Sequence, residues 1–334
     1  MSIAKGDKKC ILFVLTVDTE EEWDWDKEFP TGTPAVQNIH RIPKFQSFCH
    51  ELGIKPTYFI DYAVISDQSS RQYFQKPFEK GECELGSHLH TWVTPPIEES
   101  IHEKNTHAIN LPSELVKRKL RTLTQKFEAT FGVCPQVFRS GRWGVNGALL
   151  QMLIEEGYHI DSSVYPFYAD STFSYYEAPG IPYWPDLEIC THESSQKEIF
   201  EIPVTSGFNH PSFTRCHRIH QFLAKKPWNL IHGVGILWNL QLLRKLQLSP
   251  ELTDIHDMIT LIHACLKRGH QIIHMFLHSS SLLPGGSPYV RTEDDERKFY
   301  QSIADVVHYL KDQTDVSFCT LTEAKQHYLQ EENA

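Results

Sequence analysis

ILFVLTVDTEEE, residues Ile11–Glu22, sets a run of seven apolar or β-branched residues directly against Asp18 and a group of glutamates. A continuous run of this kind, without alternation, suits a strand covered on both faces, as in a parallel sheet. Working outward, PTYFIDY (Pro56–Tyr62), CELGSHLH (Cys83–His90), Gln136–Ser140, His159–Val164, Phe200–Thr205 and QIIHMFLHS (Gln271–Ser279) read the same way, and Val316–Leu321 makes an eighth strand. Helical patterns lie between them. Ser113 is placed to cap one whose stripe is Val116, Leu120, Leu123, Phe127 and Phe131, Asn146 another, Ser249-Pro250 a third and Thr292 a fourth. Strand–helix alternation repeated seven or eight times predicts an α/β fold with a parallel sheet, open or closed into a barrel. The connections at about 167–197 and 207–247 are long for that scaffold and read as insertions around the C-terminal rim of the strands. No Pro/Gly/Ser-rich linker divides the chain, so a single domain over 1–334 is expected.

Composition narrows the function classes. The 334 residues are 40% hydrophobic, enough for a large core, and 32 basic against 42 acidic residues leave a net charge of −10. With no long basic run, nucleic acid is not an expected partner. Eight cysteines contain no CxxC pair, the N-terminus lacks a secretory signal pattern, and no apolar run reaches a membrane-spanning length; a cytoplasmic location is expected. The segment LIHGVGILWNLQLL (Leu230–Leu243), between Lys225-Lys226 and Arg244-Lys245, reads as a core or lid helix. Its alternative is an interfacial helix, which would associate peripherally with a membrane.

Charged and imidazole side chains collect at the C-terminal strand ends: Asp18 and Glu20, His88 and His90, Arg139, Asp161, and His278. In a β/α barrel those ends share one mouth, where active sites are built. His88 and His90 are two apart, so a strand presents both imidazoles on one face, able to reach one ion, with Glu20 or Asp18 to supply a carboxylate. Asp18 ends an apolar strand and needs a cationic partner, for which Arg139 is the candidate. Trp23, Trp25, Trp92, Trp143, Tyr165, Phe167 and Trp184 flank the same rim, and aromatic faces suit pyranose rings. Beyond Glu20, the acids of Glu20–Glu28 read as a solvated loop.

These motifs resemble those of the polysaccharide deacetylase family, the carbohydrate esterase family 4 proteins that share the NodB homology domain, and within it the WalW-type branch. The matching segments are LTVDTEEEWDW (Leu15–Trp25), ELGSHLHTW (Glu84–Trp92), FRSGRWG (Phe138–Gly144), DSSVYP (Asp161–Pro166), EIPVT (Glu201–Thr205) and FLHSSSLLPGGSPYV (Phe276–Val290), in the family's order. The resemblance implies a distorted (β/α) barrel of seven or eight strands holding one divalent ion, most often zinc, and removal of acetyl groups from sugar amides or esters. It implies Asp18 as catalytic base, Glu20 and His88 as metal ligands, Arg139 as the base's anchor, Asp161 as the carboxylate that tunes the general acid, and His278 as that acid. Two departures stand out. Thr19 replaces the second of two adjacent aspartates, so the carboxylate ligand comes from Glu20 or from Asp18 itself. The usual HxxxH spacing ends here at Trp92, leaving His90 as the second imidazole.

The substrate this implies is an acetylated sugar or oligosaccharide, and a cytoplasmic site would favour one linked to a nucleotide or a lipid. Trp92, Trp143, Tyr62 and Tyr165 are candidates to contact it, with a backbone N–H near Trp143 or Tyr62 to hold the oxyanion. Two other readings start from the same residues: a glycoside hydrolase working through Asp18 and Asp161, and a deacetylase-like scaffold that binds sugar or a partner without turnover.

Overall fold

In the computed structural model, which describes residues 10–23, 29–30, 34–226 and 232–332, the first strand is the hub of the molecule. The strands are β1 (Cys10–Thr19), β2 (Thr57–Ile60), β3 (Glu84–Leu89), β4 (Val137–Ser140), β5 (Ile160–Asp161), β6 (Phe200–Glu201), β7 (Ser206–Phe208), β8 (Lys245–Gln247), β9 (Ile272–His278) and β10 (Asp315–Phe318). The helices are α1 (Ile42–Leu52), α2 (Tyr62–Ser66), α3 (Arg71–Glu79), α4 (Glu103–Thr106), α5 (Ser113–Phe131), α6 (Gly147–Glu155), α7 (Phe213–Ala224), α8 (Gly233–Asn239), α9 (Ile255–Arg268), α10 (Glu293–Gln313) and α11 (Leu321–Glu332).

β1 pairs along Leu12–Asp18 with β9 on one edge. Its other edge is shared: Cys10–Phe13 pairs with β10 and Thr16–Thr19 with β2. From β2 the sheet continues β3-β4-β5-β6, every pairing parallel. Helices pack around this sheet, which curls into a half-barrel; the predicted distorted (β/α) barrel is what forms. The gap between β6 and β9 is bridged where Thr205 N–H donates to the His274 carbonyl (3.0 Å) and its hydroxyl accepts from His274 N–H (2.8 Å).

Alternation along the strands decides which side chains reach the interior. Ile11, Phe13, Leu15 and Val17 pack outward against the helices, while Leu12 and Val14 point inward and join Phe59, Val137, Ile160, Phe200 and Ile272. Leu321, Ala324 and Tyr328 of α11 close this inner core at the strands' N-terminal end. Following the inward series toward the other end, Leu12 and Val14 lead to Thr16 and Asp18, Ile272 leads to His274 and His278, and Val137 leads to Arg139. Apolar residues thus fill the bottom of the half-barrel and polar ones its top.

Two helix starts differ from expectation. Pro112 precedes α5 and Ser113 is its first residue, making no side-chain cap. The helix expected from Ser249-Pro250 begins later: Asp254 caps α9 by accepting from Asp257 N–H (2.9 Å), which leaves residues 250–253 in turns. Asn146 and Thr292 cap as expected, the latter through a reciprocal pair with Asp295. The long connection 207–247 carries the antiparallel β7–β8 pair with α7 and α8, and 167–197 is built of turns and isolated bridges.

Candidate active site

Above the polar inward positions lies a cavity of about 400 Å³. Asp18, Glu20, His88, His90, Glu251 and His278 line it, together with Trp92, Trp143, Tyr165, Tyr168, Phe276 and Tyr289.

Both imidazoles of β3 point their Nε2 atoms at Glu20 Oε2, at 3.7 Å from His88 and 3.3 Å from His90. The far nitrogens are already engaged. His88 Nδ1 donates to the Arg139 carbonyl (2.9 Å), an oxygen that can only accept, which leaves Nε2 as the nitrogen facing the cavity. His90 Nδ1 sits 2.9 Å from Glu21 Oε2, and the other Glu21 oxygen accepts from Trp92 Nε1 (2.6 Å). Burial, the largest influence, lowers the His90 pKa and keeps the ring neutral, the form that binds metals. Ligand atoms of Glu20, His88 and His90 all lie within 4.8 Å of one another. A carboxylate oxygen and two imidazole nitrogens, with a carboxylate orienting one ring from behind, is a donor set that fits a divalent transition metal. Glu20, not Asp18, is the carboxylate that meets the two histidines.

Asp18 has a different partner. Arg139 is fully buried; its Nη1 donates to Asp18 Oδ1 at 2.6 Å, while Nε and Nη2 are held by the Ser162 carbonyl (2.8 Å) and hydroxyl (3.0 Å). Its guanidinium lies over the rings of Phe59 (4.5 Å) and Trp143 (5.0 Å), which fixes its plane. Burial pushes the Asp18 carboxyl upward, but Arg139, then His88 and His278, outweigh it and hold the pKa below its ordinary value. With Oδ1 occupied by Arg139, Oδ2 is the oxygen turned to His278 Nε2, 3.8 Å away.

His278 is gripped by Glu251, whose Oε1 accepts from its backbone N–H (2.9 Å) and whose Oε2 meets its Nδ1 (2.8 Å). Burial opposes a charge on the ring, yet Glu251, Glu20 and Asp18 together overcome it and raise the pKa to about 10. A cation resting on Glu20 would cancel that residue's share. Two facing groups are therefore driven apart, Asp18 toward carboxylate and His278 toward imidazolium.

The expectation that Asp161 tunes His278 is not met. Its register partners are Phe138 on β4 and Glu201 on β6, and all three are outward positions, one residue out of phase with the inward Val137, Ile160 and Phe200. Asp161 accepts from Ser163 Oγ (2.6 Å) and lies beside Glu201, whose Oε1 accepts from Val164 N–H (3.1 Å). Burial, the largest cause, raises Asp161 to about 6 and Glu201 well above its ordinary value. Tyr62 lies beyond the end of β2, as the first residue of α2, and packs into the helix-side core instead of lining the cavity. Trp92, Trp143 and Tyr165 do line it, as does Trp23, whereas Phe167 packs on Phe208 and Phe213, and Trp184 on Phe200. Trp25 and the acids at 24–28 lie outside the described residues. Glu21, read as part of a solvated loop, is instead buried behind His90.

Gly141 has a plain structural reason. A Cβ there would stand 2.4 Å from His90 Cδ2 and 2.6 Å from the Leu89 carbonyl, so any side chain would displace the imidazole. The next residues, Arg142 and Trp143, both adopt left-handed φ (59° and 62°), which turns the Trp143 ring toward the cavity.

No protein-family model matches the sequence, and no curated protein matches it. Solved structures do match by shape. One, provisionally described as a polysaccharide deacetylase from Mycobacterium smegmatis, aligns over 99% of this chain and 94% of its own, at 13% identity and a TM-score of 0.52. Another, provisionally described as a glycoside hydrolase/deacetylase from Parabacteroides distasonis, aligns over 94% and 69%, at 13% identity and a TM-score of 0.58. The chain has the polysaccharide deacetylase fold. At such identity the likeness concerns backbone alone, and what this polysaccharide deacetylase fold can do rests on the side chains above.

Proposed function

We propose that the protein is a metal-dependent deacetylase that hydrolyses an acetyl amide or ester on a sugar or polysaccharide precursor. One arrangement carries this reading: a Glu-His-His donor set and a carboxylate–imidazolium pair of opposite tendency share the floor of one aromatic-walled cavity.

A divalent ion, zinc being the best chemical match to these donors, supplies Lewis acidity toward an acyl oxygen and makes water a stronger acid. Glu20, His88 and His90 would hold it. Asp18, kept ionised by Arg139, takes a proton at Oδ2 from the attacking water. His278, kept protonated through Glu251, delivers a proton from Nε2 to the departing nitrogen or oxygen of the sugar. Trp92, Trp143 and Tyr165 offer ring faces to the C–H faces of the sugar and exclude water around it. Glycoside hydrolysis through Asp18 and Asp161 is disfavoured, because Asp161 lies on the other face of the sheet from the cavity.

Metal analysis paired with acetate release from acetylated sugars tests the proposal. The wild-type protein should bind about one ion, lose acetate release on chelation and regain it on metal addition. His88→Ala and His90→Ala should each lose most of the metal. Full metal content in both variants, or undiminished acetate release after exhaustive chelation, would remove the reading.

Glu251→Gln separates the role of Glu251 from simple packing. Removing its charge takes away the largest influence raising the His278 pKa. The alkaline limb of kcat/KM, where the general acid is lost, should therefore move to lower pH while metal content stays the same. An unmoved limb would place the proton donor elsewhere.

A further inference from the structure

The chain's charge is unevenly spread. Its net charge is −10, yet from Ile202 to Pro250 there is not one Asp or Glu, while six Lys and Arg fall in that stretch. This is the insertion that carries α7 and α8. On α7, Arg215, Arg218, Ile219 and Phe222 stand at i, i+3, i+4 and i+7 and are all exposed, opposite the buried Phe213, Cys216 and His217. α8 packs against α7, and at its end Ile236, Trp238, Leu240 and Leu242 are 48%, 42%, 61% and 64% exposed. Lys225 and Lys226 are exposed as well. Large apolar side chains this open to water, interspersed with cations and free of acids, do not match an ordinary solvated surface.

The insert is also continuous with the cavity. On β8, Lys245 Nζ lies 4.2 Å above the ring of Tyr168, a wall residue stacked on Tyr165, and the next turn delivers Glu251 and Leu252 to the lining. No helix among the described residues is long and apolar enough to cross a membrane, so contact with lipid would be from the surface.

We propose that the α7–α8 face docks on a bilayer bearing anionic phospholipids, with the cavity mouth beside the headgroups. The apolar side chains enter the headgroup–acyl boundary, and Arg215, Arg218, Lys225 and Lys226 meet the lipid phosphates. A site held there suits a glycan tethered to a lipid carrier; that substrate, though not the docking itself, rests on the deacetylase reading.

Co-sedimentation of the full chain with vesicles tests this, using phosphatidylcholine alone and phosphatidylcholine with about a third phosphatidylglycerol, a content that gives a strongly negative surface. The protein should bind the anionic vesicles, lose binding as salt rises, and leave neutral vesicles in the supernatant. Each cation at such a surface is worth about a fivefold change in partitioning, so the double variant K225E/K226E should weaken binding by at least about 25-fold. L240S/L242S should weaken it too, and both variants should release acetate from a water-soluble acetylated sugar at the wild-type rate. The docking surface is refuted by absent vesicle binding, by equal binding to neutral vesicles, or by variants that bind like wild type. It is equally refuted by retention on heparin without vesicle binding, or by a concentration-dependent dimer in light scattering that L240S/L242S dissociates. Vesicle binding by a protein that releases no acetate keeps the docking and removes the deacetylase; acetate release without vesicle binding does the reverse.

Discussion

Asp18→Asn is expected to lower kcat by about 10²–10⁴, the usual worth of a general base, while metal content and fold are retained. The amide keeps an oxygen for the Arg139 Nη1 hydrogen bond but has no basic site to turn toward His278. KM for the acetylated sugar should change little, because the cavity walls are untouched. Metal analysis alongside steady-state kinetics checks both halves. Loss of the metal together with activity would make Asp18 a ligand, and full activity would remove it from the mechanism.

Arg139→Met should be the most destabilising of the site variants, by about 3–5 kcal/mol, the cost of stranding one member of a buried ion pair. Asp18 would then face burial with only His88 and His278 to favour its charge, and its carboxyl would move up toward protonation. In the wild type, where that pKa is depressed, the pair's contribution is present above the unfolded carboxyl value near 3.9 and fades as pH falls through the folded one. Urea melts across pH 3–8 should thus show the difference between wild type and Arg139→Met shrinking toward acid. Adding Asp18→Asn to Arg139→Met should recover a large part of the lost stability, since the stranded charge is gone. A double variant no more stable than Arg139→Met would mean that the arginine acts through packing on Phe59 and Trp143 instead.

The strands were readable because a parallel sheet buried on both faces needs unbroken apolar runs, and all eight appear close to where those runs lie. Asp18, Glu20, His88, His90, Arg139 and His278 were readable because acids, imidazoles and a guanidinium at strand ends contradict the runs they terminate. What failed was phase. Asp161 sits at a strand end too, but one residue off the inward series, and with a strand as short as Ile160–Asp161 the sequence offers no alternation from which to read direction; Tyr62 lies past the end of β2, where α2 has already begun. Glu251 was hidden for another reason. In Ser249-Pro250-Glu251 an acid looks like a first-turn helix residue, and only the later start of α9 at Asp254 frees it to reach His278. Glu21 was lost among its acidic neighbours, since nothing in a charge run tells which member turns inward.

The pairing of β1 sets a condition on biosynthesis. The strand bearing Asp18 is synthesised well before two of the strands that pair with it, β9 and β10, which lie more than 250 residues further along the chain. At about 5–20 residues per second the nascent chain spends tens of seconds with that apolar ribbon lacking its partners. His278 arrives with β9, so no fragment released before it can carry the full proton-transfer pair. Premature termination should therefore yield sticky polypeptide destined for chaperones or proteolysis, not a partly assembled site.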